Sequence, residues 1–164
     1  MIHSCGALLF SFDKYNNIGV ILGSEDNNGF WFNFKGCNEL GETFEETAIR
    51  EVKEETCGLV LPSNIKLDHV FSTKTKTYHI GLLEVSYDIV EKFNLYHKTN
   101  ICSCEKKELK FFKLKDIFDN FIHNTTRASI FYYWNHLFFN QFNNMECYCI
   151  DSLTAKRMKY EHIR

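Results

Sequence analysis

Proline is nearly absent from this sequence: Pro62 is the only one in 164 residues. Little in the chain therefore forces a break in regular structure, and a proline-rich linker or recognition segment is excluded. Net charge is also nearly absent, at −2. The chain as a whole is no nucleic-acid coat or membrane-surface binder, so a polyanionic ligand must be met locally, by a few cations or a metal. No apolar run is long enough to span a bilayer. The apolar opening Ile2–Phe12 has no basic leader and runs into Asp13 and Lys14, which leads us to expect a cytoplasmic protein with reduced thiols. Repeats, long linkers and low-complexity blocks are missing too. One α+β domain over residues 1–164 is the economical reading.

Cysteine and aromatics are plentiful. The 16 Phe predict a bulky, well-filled core. The seven cysteines are scattered. Two pairs, Cys102/Cys104 and Cys147/Cys149, are spaced more closely than paired structural zinc ligands usually are, and read as separate thiols.

Periodicity and turn residues divide the chain. Cys5–Phe12 and Ile18–Gly23 read as a strand hairpin around the polar Asp13–Asn17, and Phe30–Phe34 as a short aromatic strand end. Gly36–Gly41 is a glycine-bounded loop. Thr43 with Glu46 three residues later forms a capping-box pattern, predicting a helix from Phe44 to about Thr56 that ends at Gly58. Leu67–Ser72, Tyr78–Tyr87 and Leu109–Leu114 read as later strands. Ile89–Cys104 reads as a polar, irregular loop or lid. Thr126–Phe142 repeats apolar residues at helical spacing, and the tail from Met145 is ambiguous.

The chemistry concentrates in Gly36–Leu59, GCNELGETFEETAIREVKEETCGL. At about 100° per residue, Glu54 lies near 300° and Glu55 near 40° relative to Glu51 at zero. Three carboxylates thus share one arc. Ala48, Ile49 and Val52 occupy a neighbouring apolar arc, and Glu46, Arg50 and Lys53 the remaining side. Like charges on one stripe repel by a few tenths of a kcal/mol per pair, and hard divalent cations are what carboxylate oxygens beside a glycine loop suit. The plain alternative is a solvated acidic helix face.

The surrounding pattern decides between them. Gly36, Glu42, Arg50, Glu51, Val52, Glu54 and Glu55 match in register the signature of the Nudix hydrolases, and Glu39 and Gly41 fit its interior. Accidental agreement has odds on the order of 10⁻⁵ over such a chain. In one place the segment departs: the signature has Gly two residues after the last Glu, whereas here Thr56 and Cys57 precede Gly58. One extra residue before the glycine cap is the expected result.

The resemblance implies a mixed sheet sandwiched between helices and a hydrolase of phosphate-anhydride bonds that requires Mg²⁺ or Mn²⁺. It implies that Glu51, Glu54, Glu55 and the Gly36 carbonyl hold the cations, and that Arg50 orients Glu51 or pairs with Glu42. The general base it implies is Glu54 first and Glu108 second, with Glu105 a less favoured position near Glu108. Trp31-Phe32-Asn33-Phe34-Lys35-Gly36 partly resembles the lead-in of relatives acting on dinucleoside polyphosphates and capped RNA. Lys35 would then face phosphates, and Trp31 or Phe32 would stack on a base. A small nucleotide, most of all a dinucleoside polyphosphate, is the expected substrate. Capped RNA reaching Lys74, Lys76 and the lysines of 106–115, or a diphosphoinositol polyphosphate, is the alternative. In the late lysines, Lys107, Lys113 and Lys115 would share one strand face and Lys106 and Lys110 the other. A Nudix-like binding module without catalysis is the non-enzyme reading; such a module should lack one of the acids, and this sequence keeps them all.

Overall fold

The computed structural model describes residues 1–25 and 29–144; the Cys147/Cys149 pair and the tail from Met145 lie outside the described residues. Seven strands form a single mixed sheet. They are β1 (Ile2–Phe12), β2 (Ile18–Ser24), β3 (Trp31–Phe32), β4 (Phe34–Cys37), β5 (His69–Ser72), β6 (Lys76–Glu84) and β7 (Glu108–Lys113). The order β3-β2-β1-β6-β5 runs across it, with β4 pairing β1 and β7 pairing β2. Among the described strands, only β1 and β6 pair in parallel, in register from Ile2↔Lys76 to Phe10↔Glu84. Among the described residues, three α-helices and a short 3-10 helix (Leu114–Asp119) complete the fold: α1 (Phe44–Glu55), α2 (Ile89–Lys98) and α3 (Asn124–Asn144).

The strands are apolar on both faces because helices cover both. In β1, Leu8 and Phe10 point into one core with Val20, Leu22, Phe112 and Ile130 of α3. Cys5, Ala7 and Leu9 alternate into the other, with Phe34, Ala48 and Val52 of α1 and Phe93 of α2. The sandwich implied by the sequence is therefore what the chain forms.

Two departures from the sequence reading are local. The stretch read as an irregular loop, Ile89–Cys104, contains α2. Its anchors Ile89 and Phe93 are one turn apart and buried, but Glu91 and Lys92 between them and Asn94 after them mask the apolar stripe. The aromatic lead-in also breaks in two at Asn33. There the buried Asn33 backbone N–H donates to Thr126 Oγ1 at 3.0 Å, and that hydroxyl donates to Asn33 Oδ1 at 3.1 Å, tying the lead-in to α3.

Helix α1 is closed at both ends by its own sequence. Thr43 accepts from the Glu46 N–H at 3.2 Å while the Glu46 carboxylate accepts from the Thr43 N–H at 2.8 Å, completing the expected capping box. At the other end the Cys57 N–H donates to the Glu54 carbonyl at 3.1 Å and the Gly58 N–H to the Lys53 carbonyl at 2.8 Å. This is a Schellman closure. The residue in its left-handed position is Cys57, at φ 53°. Gly58 follows it at φ 72°, so the expected extra residue ahead of the glycine is Cys57 itself. Cys57 occupies the glycine's place in the motif, at a cost of about 1–2 kcal/mol of backbone strain.

Candidate active site

Strand β4 and helix α1 face each other and bring the motif together. Gly36 sits so close to α1 that a Cβ there would lie 2.2 Å from the Glu51 carboxylate. Only glycine lets the β4 backbone, with its carbonyl oxygen, share that space. The loop between the two elements returns Glu42 to Arg50. The guanidinium donates to Glu42 Oε1 at 2.7 Å and Oε2 at 3.1 Å, to Glu51 Oε1 at 2.7 Å, to Glu54 Oε2 at 3.2 Å and to the Cys37 carbonyl at 3.1 Å. Arg50 thus performs both duties that the sequence offered as alternatives. Its hydrogen bonds hold the Glu42 carboxyl down at about 2.

The three stripe acids differ in environment. Glu54 is 58% exposed. Glu51 is largely covered, and burial raises its pKa despite the Arg50 contact. Glu55 is buried; its Oε2 accepts from the Lys35 backbone N–H at 2.9 Å, and its Oε1 lies 3.3 Å from Lys106 Nζ. Burial outweighs these cationic and N–H partners and pushes Glu55 up to about 7.

Two groups outside the motif join them. The Glu25, Glu55 and Glu105 carboxylates lie within 4.8 Å of one another. Lys106, 1% exposed, stands among them and donates to Glu25 Oε1 at 2.5 Å. Gly23 makes room for it, since a Cβ there would meet the Lys106 side chain at 2.6 Å. Sequence reading missed Glu25 and treated Lys106 as one lysine in a charged strand. The only signal was the position of Lys106 beside Glu105. Glu108 opens β7, exposed and paired in register with Ser24, while Glu105 is the late acid gathered with Glu55.

The lead-in residues divide by role. Trp31 is half-buried and packs edge-on against Phe112, with ring centres 5.1 Å apart, so its indole serves the core. Phe32 stacks on His123 at 4.8 Å, with Lys35 Nζ 5.6 Å and Lys106 Nζ 5.1 Å from its ring centre. Burial and the neighbouring Lys106 charge bring Lys35 down to about 8. Of the late lysines, Lys106 is interior and Lys113 lies 3.8 Å from Asp13.

A cluster of thiols stands at the C-terminal end of α1. Cys57 is disulfide-bonded to Cys102, and Cys104 Sγ lies 3.5 Å from Cys57 Sγ. The expectation of separate thiols is corrected here, because the three sulfurs meet. Cys57 and Cys102 are 45 positions apart, a proximity only the fold reveals.

The oxygen-lined end of the site suits a hard cation. Glu51 and Glu55 are costly to ionise as they stand, Gly36 lies against Glu51, and exposed Glu54 completes the stripe. Among the described residues no helix is long and apolar enough to cross a membrane.

Comparison with known proteins agrees with this geometry. The NUDIX domain profile matches residues 6–133. A Mycobacterium tuberculosis (strain CDC 1551 / Oshkosh) protein called MutT4 is 42% identical over 66 residues, 38% of this chain. The matched region spans only 27% of that relative's length. Among solved structures, the NUDIX domain of Shewanella oneidensis NrtR, complexed with ADP ribose, superposes with a TM-score of 0.64 at 16% identity, covering 84% of this chain and 88% of that one. A C. elegans Ap4A hydrolase in a binary complex superposes with a TM-score of 0.55 at 21% identity, over 73% and 85% of the two chains. These structural likenesses speak for the fold, and the profile match for the family. With the motif in place on β4 and α1 and the profile covering most of the chain, this protein belongs to the Nudix hydrolase family.

Proposed function

We propose that this protein hydrolyses a phosphoanhydride bond in a dinucleoside polyphosphate with the help of Mg²⁺ or Mn²⁺. The observation that carries the reading is Glu51 set against Gly36 on one face of α1, with Arg50 joining it to Glu54 and with Glu55 on the same helix accepting from the Lys35 backbone N–H. When bound, the cations would neutralise phosphate oxygens and acidify the attacking water. Gly36, Glu51, Glu54 and Glu55 would hold them.

The remaining roles belong to the chain's own side chains. Glu54 is the most exposed of the three and reaches solvent, which suits it to take the proton of the water that attacks phosphorus in line. Arg50 keeps Glu51 and Glu54 at fixed separation and touches no substrate in this scheme. Glu105, grouped with Glu55, is the second candidate for the proton, ahead of Glu108. Lys35 binds a phosphate oxygen next to the metal-binding acids. Phe32, stacked on His123 beside Lys35, offers the aromatic face for a base, a role better suited to it than to the core-facing Trp31.

Cations held beside the acids would favour several phosphates in series over a single ester. The fold shared with an Ap4A hydrolase supports the same substrate class. The interior position of Lys106 and the Asp13 contact of Lys113 subtract from a lysine path for RNA.

The test is a comparison of specificity constants for diadenosine tetraphosphate, a free cap dinucleotide and a capped RNA of about thirty nucleotides, at low and high salt. The dinucleotide should be preferred, with weak salt dependence. A rate that grows with RNA length and falls steeply with salt marks phosphate-backbone binding and overturns the substrate assignment. Full turnover in excess chelator overturns the metal requirement.

A further inference from the structure

The strained cysteine at the end of α1 has no part in the chemistry above. A residue other than glycine in the left-handed region of a Schellman cap is disfavoured, and such strain persists where surrounding structure requires the side chain. What surrounds Cys57 is two further sulfurs. The Sγ atoms of Cys57, Cys102 and Cys104 all lie within 4.8 Å of one another. A disulfide uses two sulfurs; here a third, on Cys104, sits 3.5 Å from Cys57 Sγ. Tetrahedral zinc with thiolate bonds of about 2.3 Å separates its sulfurs by about 3.8 Å. Cys57 and Cys104 are already near that spacing; Cys57 and Cys102 must part once their bond is reduced. It also borders an open cavity of about 400 Å³, lined by Glu54, Tyr96, Ser103 and the three cysteines, which leaves room for a water as fourth ligand.

We propose that Cys57, Cys102 and Cys104, once reduced, form a three-thiolate site for one soft divalent cation, with Zn²⁺ the ion of best fit, separate from the oxygen-lined site of the Nudix motif. The disulfide and the metal are alternative states of the same sulfurs. Two equivalents of a small thiol convert the Cys57–Cys102 bond to two thiols and leave as their own disulfide. Each of the three thiols then releases its proton to solvent as its sulfur joins the cation. Soft thiolates select such an ion over Mg²⁺, which the neighbouring carboxylates prefer. The site ties the last turn of α1 to the loop that carries Glu105 and Lys106. It depends on neither the substrate nor the base assigned above.

The experiment uses the full chain reduced with a phosphine under inert gas, in excess Mg²⁺. Titration with Co²⁺, followed by displacement with Zn²⁺, reads the thiolate-to-cobalt charge-transfer band. One equivalent per chain is expected, displaced by one equivalent of Zn²⁺. Cys104→Ser and Cys57→Gly should each lose the band. Cys57→Gly relieves the backbone strain, so retention of helix circular dichroism in that variant separates loss of a ligand from loss of the fold. Cys37→Ser and the double variant Cys147→Ser/Cys149→Ser should keep the band. Absence of the band in reduced wild type, its survival in Cys104→Ser, or its loss in the Cys147/Cys149 variant would each overturn the assignment.

Discussion

The ammonium of Lys106 lies 3.3 Å from the Glu55 carboxylate, and water reaches almost none of either side chain. The lysine's chain passes the rings of Phe32 and Phe34 and ends between Glu55 and Glu25. A positive charge therefore already occupies the acidic cluster before any metal ion arrives.

Replacing that lysine separates two effects. Lys106→Met removes the partner of two carboxylates, and unpaired buried charge is strongly destabilising. Without metal the variant should lose roughly 3 kcal/mol of stability by urea denaturation. Saturating Mg²⁺ should restore more stability to it than to wild type, because the cation replaces the missing positive charge. Equal metal-free stability in the two proteins would show that the Lys106–Glu55 pair contributes nothing.

The stripe acids should govern turnover without governing the fold. Glu54→Gln should lower kcat by roughly 10²–10⁴-fold, the usual contribution of a general base. Glu55→Gln should raise the Mg²⁺ concentration needed for half-maximal rate. Circular dichroism should show both variants folded. If steady-state kinetics put both within threefold of wild type, the site assignment fails.

The metal-free protein should weaken as pH rises through neutrality. Glu55 is raised from 4.5 to about 7, and Glu51 shifts in the same direction. A carboxyl whose pKa is raised on folding binds more protons in the native state. Its stabilising contribution is complete below about 4.5 and is lost as pH climbs through about 7. For Glu55 this amounts to roughly 3 kcal/mol. The opposite shift of Glu42, held at about 2, acts only in acid and leaves this window alone. Thermal melts in chelator should therefore show a falling midpoint from about pH 5 to about pH 8. Added Mg²⁺ should raise the midpoint most at the alkaline end. Burial lowers the pKa of His69, His79 and His123, which act in the opposite direction over the acid half of this range, so the Glu55 part is read against Glu55→Gln: an identical pH profile in that variant would contradict the burial of Glu55.

Arg50→Lys tests the fork that joins loop and helix. A lysine ammonium cannot donate in parallel to both Glu42 oxygens while reaching Glu51 and the Cys37 carbonyl. The melting midpoint should fall, and kcat should drop roughly 10–100-fold, as when partners that orient metal ligands are removed. Because Arg50 acts through Glu51 and Glu54, the Michaelis constant for substrate should change little. A change confined to that constant would place Arg50 against the substrate instead.

What the sequence disclosed and what it hid follow from distance along the chain. The capping box, the acid stripe and the Gly36–Glu51 relation lie within one 24-residue segment, where helix geometry alone fixes angles. Alternation of apolar residues made the longer strands legible. Helix α2 escaped because only Ile89 and Phe93 of it are buried, too few to set a period. Glu25 and Lys106 met Glu55 through contacts spanning the sheet, for which no spacing rule exists. The cap was misread for a subtler reason. Gly58 is left-handed, and no pattern announces that its neighbour Cys57 enters that region one residue earlier.

The parallel pairing of β1 with β6 also bears on how the molecule comes into being. Residues 2–10 find their partners only at 76–84, so the whole Nudix motif lies inside the connection between them. Closing so long a loop costs entropy before any ladder bond repays it, and such non-local pairing folds slowly. As the chain leaves the ribosome N-terminus first, β1 and β2 can form their hairpin early, and β4 can add to β1. The central sheet stays open on one side until Glu84 has emerged. Lys106 follows later still, so the carboxylates of α1 gather before their buried counter-charge has been synthesised. For that interval Arg50 can hold Glu51 and Glu54, while Glu55 must wait for Lys106 or meet a cation from solution.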